Sequence, residues 1–332
     1  MTEPKPPSPA PPAGSTDQLT TLLFEQRGAV AWIRLNRPER YHAFNKVLCD
    51  ELSGLWRRLR TDDSVKAVVL SATGEKAFCT GIDRDFVPAE GGATYDFSPY
   101  TYDDPGQYLG PKANDFWKPV VCAVNGMACG GAFYLLGEVD IIVAADHATF
   151  FDPHVTYGMP AVYEPLLMLH RGMPFGEILR MTLLGNHERM SAARALEIGL
   201  VSEVCPSGEL DERAGWLADT IASAPARPMQ ATLRTLWAGR ELSRRQALDL
   251  GNTFLNLGMF PPLVIRMLRV GETTGALDAA FTNVTYFYNR EVKESVDKGL
   301  KMLGPVLDEL AIRYPAAEYA FANASSVSVT SS

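Results

Sequence analysis

The chain lacks long apolar runs and clusters of positive charge. None of its uncharged apolar stretches reaches the 18 residues of a membrane-spanning helix, so no such helix is predicted. Asp and Glu outnumber Lys and Arg by 39 to 31, which gives a formal net charge of −8. A general nucleic-acid surface needs clustered Lys and Arg. These absences exclude a membrane-spanning protein and argue against a nucleic-acid partner.

Cysteine is also scarce. The five cysteines are odd in number, scattered and surrounded by apolar residues, and no Cys or His grouping has metal-ligand spacing. The opening MTEPKPPSPAPPAGS has no apolar core of a signal peptide, and six prolines lie among its first twelve residues. We therefore expect a reducing, cytoplasmic location, no metal site, and a disordered tail over residues 1–20.

Hydrophobic patterning predicts a mixed α/β domain. Residues 21–35 alternate apolar and polar around Arg27 and Gly28, as in a hairpin, and residues 45–60 have helical spacing with Asn45 as N-cap. Short buried strands are predicted at 65–72, 120–126 and 140–146, with a buried helix in GGAFYLLGE between the last two. From about 175 to 257 the pattern is mainly helical. Strands that alternate with helices favour sheet-and-helix layers.

Residues 84–117 have little periodicity and are rich in Gly, Pro, Tyr and Asp. Long irregular segments inside a domain are usually functional lids or mobile insertions. Its aromatic part, ATYDFSPYTYDDPGQY, is a candidate wall for a bulky or cyclic substrate group.

The sequence NGMACGGA, residues 125–132, directly follows a predicted strand and precedes a predicted buried helix. Glycines at such a turn allow close approach of a ligand, and the N–H groups of a first helical turn can stabilise an anionic oxygen. Tight packing around Gly130 and Gly131 is the alternative interpretation. A dinucleotide site is a poor match, because the order G-x-x-x-G-G differs from G-x-G-x-x-G.

A second turn of this kind lies in KAFCTGIDRDF, residues 76–86. Gly81 breaks the run and leaves the N–H of Ile82 free to face a cleft. Two backbone donors that converge from separate loops would form an oxyanion hole, which suits a thioester that passes through an enolate or a tetrahedral anion.

The chain resembles the enoyl-CoA hydratase/isomerase (crotonase) superfamily over residues 20–257. The matching stretches, in family order, are VAWIRLNRPERYHAFN, VKAVVLSATGEKAFCTGID, KPVVCAVNGMACGGA, VDIIVAADHATF and LLGNHERMSAARALEIGLVSEV. The resemblance implies an α/β fold in which ββα turns form a spiral (21–205), followed by a helical oligomerisation region (206–257). It implies that Ile82 and Gly131 supply the two oxyanion N–H groups. It places Arg40, Tyr41, Ala43 and Phe44 against CoA, with Thr80, Asp83 and Gly130 beside them.

The chain departs from the pattern at two positions. Hydratases of the family carry glutamates where this sequence has Tyr134 and His154. Water addition by paired carboxylates is therefore not expected, whereas His154 can act as a general base, with Tyr134 as a hydrogen-bond donor. Asp152 or Glu164 could orient the imidazole, although we expect both to be surface or loop groups. Asp83 is expected to cap the helix after the Ile82 turn.

Past residue 257 the crotonase pattern stops. Residues 258–306 resemble the inner-membrane platform proteins of type II secretion and type IV pilus systems, and form a pattern of two amphipathic helices before a C-terminal tail at 307–332. The segment is a graft, a natural replacement of the crotonase C-terminus, or a sign of a secretion role.

These features predict an acyl-CoA enzyme of fatty-acid-type metabolism: an isomerase, a hydrolase or a lyase that cleaves C–C bonds. We expect no cofactor, since CoA is part of the substrate, and a homotrimer or a dimer of trimers. The alternative is a catalytically impaired crotonase-like interaction protein that docks a partner through residues 258–306.

Overall fold

The structure is a computed structural model, and it describes residues 19–86 and 106–256 together with four isolated positions further on. The chain divides into two compact units, residues 1–252 and 253–332. In the second unit the four isolated positions are helical and exposed: Arg266, Val270, Thr282 and Tyr286. Three predicted segments lie wholly or mostly outside the described residues: positions 1–18 of the tail predicted at 1–20, positions 87–105 of the irregular segment, and nearly all of the platform-like segment. Thr20, the last residue of the predicted tail, is described and bonds to Glu51.

The first unit begins with the predicted hairpin. β1 (Leu22–Arg27) pairs antiparallel with β2 (Val30–Leu35), and Gly28 makes the turn at φ +57°. A left-handed backbone of this kind suits glycine, because it has no Cβ. β2 then leads into α1 (Lys46–Arg60), whose first turn is capped by Asn45: its side-chain oxygen accepts a hydrogen bond from the Leu48 N–H at 3.0 Å.

The strands form two sheets. The six-stranded sheet has the order β1, β2, β3 (Ala67–Ala72), β5 (Val120–Val124), β7 (Ile141–Ala145), β10 (Glu203–Cys205). The four-stranded sheet has the order β4 (Ala77–Cys79), β6 (Met127–Cys129), β8 (Thr149–Phe151), β9 (Met190–Ser191).

The chain alternates between these sheets. After each of three strands of the large sheet, the chain makes a short turn and enters the small sheet: β3 is followed by β4, β5 by β6, and β7 by β8. All neighbours are parallel except β1 with β2 and β8 with β9. This repeated strand–strand step makes a ββα spiral, as expected, and the parallel strands are buried on both faces.

Helices cover the sheets and connect the strands. They are α2 (Gly106–Leu109), α3 (Ala132–Glu138), α4 (Tyr163–Arg171), α5 (Phe175–Leu184), α6 (Ala192–Glu197), α7 (Leu210–Ala222), α8 (Ala226–Glu241) and α9 (Arg244–Asn256). One face of the large sheet packs on the small side chains of α7, where Gly215 leaves room for the ring of Trp32. The other face joins the main core with α1 and the buried α3. Within the described residues, no helix is both long and apolar enough to cross a membrane.

The sequence patterns predicted the long elements and missed the short ones. The predicted hairpin, α1, the three buried strands and α3 agree with the structure within a few residues, and α5 to α9 lie in the region predicted to be mainly helical. The small sheet was not predicted as a unit, because β4, β6 and β8 have three residues each. Such segments are shorter than any window in which periodicity can be measured. Helix α4 was also missed.

Candidate active site

Two glycine turns meet at one edge of the small sheet. β4 and β6 are parallel neighbours, so the turns that follow them, at Gly81 and at Gly131, leave the sheet at the same edge. A Cβ atom on Gly81 would lie 2.7 Å from the backbone nitrogen of Gly131. A Cβ on Gly131 would lie 2.6 Å from the Phe44 ring and 3.1 Å from the Gly81 Cα. This close backbone approach requires glycine at both positions.

The Ile82 amide is directed away from its neighbouring strand segment. Phe44 and Ile82 form an isolated parallel bridge in which the Phe44 N–H donates to the Gly81 carbonyl and the Asp83 N–H donates to the Phe44 carbonyl, both at 2.8 Å. Since backbone groups alternate in direction along extended chain, the N–H of Ile82 faces the other side. No described residue accepts a hydrogen bond from it.

Gly131 is the N-cap of α3, with φ −58° and ψ −6°. No described residue accepts a hydrogen bond from its N–H either, as is usual for the first amides of a helix. Two unengaged N–H groups on two touching turns can therefore stabilise one negatively charged oxygen.

Gly130 brings the candidate base to the same place. Its φ is +54°, and a Cβ built on it would face Pro153 Cδ at 3.6 Å and the Cε1 atom of His154 at 3.7 Å. The imidazole of His154 therefore packs against the turn that carries the Gly131 amide.

His154 is held by a buried carboxylate. β8 ends at Phe151, and after Asp152 and Pro153 the chain forms a 3-10 helix, His154–Tyr157. One oxygen of Asp152 accepts from the backbone N–H of His154 at 3.1 Å and lies 2.5 Å from its Nδ1. Because an ionised carboxylate only accepts, Nδ1 carries the proton and Nε2 is left as the basic nitrogen.

A second carboxylate lies on the other side of the ring. Glu164, in the first turn of α4, has Oε1 at 3.7 Å from His154 Nε2. Asp152 is 0% exposed and Glu164 is 4% exposed. The expectation of surface or loop groups is therefore wrong for Glu164, which is buried on a helix, whereas Asp152 does lie in a loop but is buried there. The sequence around Glu164 gave no signal of burial, because α4 itself was not predicted.

The carboxylates change the acidity of the imidazole. The hydrogen bond that His154 donates to Asp152 is the largest influence and raises the pKa of His154 above its ordinary value. Burial opposes this increase, and the charge of Glu164 adds to it. The net direction is upward, so the imidazolium is stabilised inside the protein.

The same three side chains offer one ligand atom each within 4.8 Å of one another, which is the spacing of a metal site. Asp152 and His154 are two residues apart and Glu164 follows ten residues later, and the sequence analysis did not predict that they form a compact group. The Nδ1 atom of His154 and one oxygen of Asp152 already form a hydrogen bond with each other. The remaining oxygen of Asp152, Oδ2, is buried without a hydrogen-bond partner among the described residues.

Tyr134 and Phe44 pack in the core next to the two glycine turns. Phe44 is 1% exposed and Tyr134 is 8% exposed, and their rings meet edge to face at 6.3 Å. The Phe44 ring fills the space in front of Gly131. Its side chain is therefore part of the core beneath the Gly131 turn.

The other predicted CoA-binding residues lie around the Ile82 turn. Tyr41 is 46% exposed and has φ +51°, Ala43 is buried, and the Thr80 hydroxyl donates to the Tyr41 carbonyl at 3.3 Å. Arg40 is exposed and forms an ion pair with Asp85.

Asp83 caps the turn, as predicted. It accepts from the Asp85 N–H at 3.1 Å, and Arg37 pairs with its other oxygen at 2.8 Å. Arg37 was not singled out from the sequence.

The spiral of two sheets is the fold of the crotonase superfamily. The sequence pattern of the enoyl-CoA hydratase/isomerase family matches residues 25–259. The chain therefore belongs to the enoyl-CoA hydratase/isomerase family. The match ends at residue 259, and the resemblance of residues 258–306 to secretion platform proteins has no support from these comparisons.

Named relatives agree with this assignment. The (E)-benzylidenesuccinyl-CoA hydratase of Thauera aromatica is 33% identical over 67% of this chain and 84% of its own length. A carnitinyl-CoA dehydratase of Proteus mirabilis is 32% identical over 67% of this chain and 82% of its own length. The crystal structure of an enoyl-CoA hydratase/isomerase from Mycobacterium paratuberculosis superimposes with a TM-score of 0.68, at 32% identity, over 78% of this chain and 97% of that one.

Proposed function

We propose that this enzyme acts on an acyl-CoA thioester whose carbonyl oxygen is held by the N–H groups of Ile82 and Gly131. His154 is then the single general acid–base group. The observation that carries this proposal is the packing of the His154 ring against the Gly130–Gly131 turn, with Asp152 at 2.5 Å on the opposite nitrogen.

One base suffices for two reactions of such an enolate. In isomerisation, His154 Nε2 removes a proton from one carbon, the thioester enolate forms, and the same proton returns at another carbon of the conjugated system. In hydrolytic C–C cleavage, His154 takes a proton from water as the hydroxide adds to a β-keto carbonyl. The C–C bond then breaks towards the thioester enolate, which His154 protonates.

Hydration by two glutamates is the reaction that the site supports least, because Tyr134 and His154 replace that pair. The relatives above are nevertheless named as a hydratase and a dehydratase, so water addition belongs in any test. In that case Glu164, 3.7 Å from His154 Nε2, is the group best placed to share the proton.

The test of the proposal is an assay over enoyl-CoA, 3-enoyl-CoA and β-keto-acyl-CoA thioesters, with small and with bulky or cyclic acyl groups. We expect turnover of a 3-enoyl or β-keto thioester, and tighter binding of bulky acyl groups. Turnover of 2-enoyl thioesters alone would establish hydration instead. The proposal fails if none of these thioesters is bound or turned over.

Asp152→Asn should alter the pH profile of the enzyme. A base must be neutral, so kcat/KM falls as the pH drops through the pKa of His154, which lies above its ordinary value. Asn removes the largest cause of that increase, so the acidic limb should move to lower pH while kcat falls by about tenfold or more. An unchanged limb would show that Asp152 has only a structural role.

The matched control is Asp146→Asn. Asp146 also lies beside a histidine, His147, at 3.5 Å, but both side chains are exposed. This variant should keep the wild-type profile. Thermal unfolding of both variants separates a change of acidity from a loss of folded protein.

We also propose that the chain forms homotrimers, as the family resemblance implies. α4 and α5 expose several large apolar side chains: Leu166, Leu169, Phe175, Leu179 and Leu183. Contiguous exposed apolar surface marks protein contacts. Light scattering should give about three times the chain mass of 36.4 kDa, and a monomer would refute the proposal.

A further inference from the structure

Three arginines lie at or beside the Ile82 turn, and two of them are paired with aspartates. Arg37 pairs with Asp83 at 2.8 Å, and Arg40 pairs with Asp85 at 2.7 Å. Arg84 is exposed and has no carboxylate partner among the described residues. Arg84 is thus the arginine of these three for which the described residues show no carboxylate partner, and it lies two residues after the amide that we assign to the oxyanion hole.

Arg84 reaches the other half of the candidate site. Its guanidinium carbon lies 5.3 Å from the ring centroid of Tyr157. Tyr157 is the last residue of the 3-10 helix that begins with His154. The side chain therefore spans from the segment of the oxyanion amide to the segment of the base. A guanidinium that rests on an aromatic ring still has N–H groups along its edge for a carboxylate.

We propose that Arg84 binds a second carboxylate on the acyl group, and that the preferred substrates are CoA thioesters of dicarboxylic acids. This inference rests on the proposed function, since it places the acyl chain between the two turns and His154. A planar guanidinium binds a carboxylate through two parallel hydrogen bonds. A neutral acyl chain offers this guanidinium no carboxylate.

The phosphates of CoA are the other anions that Arg84 could contact. The two sources differ in one respect: every thioester contains CoA, whereas only some acyl groups contain a carboxylate. Succinyl-CoA and butyryl-CoA have the same acyl length and differ in that carboxylate. Glutaryl-CoA and pentanoyl-CoA provide a second pair with one more carbon.

The experiment measures Kd for both pairs by calorimetry at low ionic strength, with wild type, Arg84→Gln and Arg84→Lys. Wild type should bind the carboxylated member about tenfold or more tightly than its neutral partner. Arg84→Gln should abolish this preference and leave the Kd of the neutral thioesters unchanged. Arg84→Lys should retain part of it, because Lys keeps the charge and loses the paired geometry.

The control variant is Arg58→Gln. Arg58 lies over the ring of Phe24 at 4.6 Å, at the end of α1 and outside the candidate site. It should keep the wild-type preference. Equal weakening of all four thioesters by Arg84→Gln would assign Arg84 to the CoA phosphates and overturn the proposal, as would equal binding within each pair by wild type.

These outcomes separate the two proposals. Binding preference without turnover of any thioester would leave the role of Arg84 intact and refute the catalytic assignment. Turnover without binding preference would refute the role of Arg84 alone. If no thioester binds, both fail.

Discussion

Replacing His154 with Ala should lower kcat by about 10²- to 10⁴-fold, the range typical for loss of a general acid–base group. The affinity for a CoA thioester should change little, because the imidazole contacts the turn at Gly130 and two carboxylates rather than the predicted CoA loop. Steady-state kinetics together with calorimetric Kd values would measure the two effects separately.

A second histidine provides the control. His147 also neighbours an aspartate but lies outside the candidate site, where its Nε2 contacts the Glu75 carbonyl at 2.9 Å. His147→Ala should retain wild-type kcat. If His154→Ala retained it as well, the buried imidazole would be a structural group that satisfies Asp152.

Gly81→Ala should reduce kcat/KM by about 10²-fold or more, the usual cost of losing one oxyanion donor. Gly81 has φ +83°, and the new Cβ would lie 2.7 Å from the Gly131 nitrogen. That neighbour is backbone and cannot rotate away. The two turns must therefore separate, and the amides of Ile82 and Gly131 can no longer converge on one oxygen.

The control variant Gly28→Ala distinguishes the effect of the Cβ clash at Gly81 from the effect of backbone strain. Gly28 also has positive φ, +57°, but a Cβ there meets nothing within 4 Å. Both variants should lose about 1–2 kcal/mol of unfolding free energy from the left-handed backbone. Only Gly81→Ala should lose activity. Equal activity in the two variants would mean that the turns do not form the oxyanion hole.

The fold was largely predictable because its long elements carry strong local signals. Asn45 precedes an apolar helical pattern and caps that helix, and Gly28 forms the turn between two alternating strands. Both preferences come from local backbone chemistry and do not depend on tertiary contacts. The small sheet was not predictable in this way. Its three-residue strands are stabilised by pairing with segments distant in sequence, such as Ala77 with Met127.

Some residues of the candidate site were likewise predictable from local sequence, and others were not. The glycine turns at Gly81 and Gly131 were visible in the sequence, since glycine between a strand and a helix indicates a special backbone. Asp152 and Glu164 were visible only as acidic residues of unknown environment. Their burial follows from the packing of β8, the 3-10 helix and α4. A sequence pattern does not distinguish a solvent-exposed carboxylate from a buried one.

The sequence alone indicated the family, the two glycine turns, and a tyrosine and a histidine at positions 134 and 154, because each depends on residue types at fixed positions along the chain. The tertiary structure decided what surrounds His154: two buried carboxylates and the Gly130 turn. It also decided that Arg37 and Arg40 have acidic partners, whereas Arg84 has none among the described residues. Proton affinity and charge pairing depend on distances through space, and the spiral brings together residues far apart in the chain, such as Arg37 and Asp83.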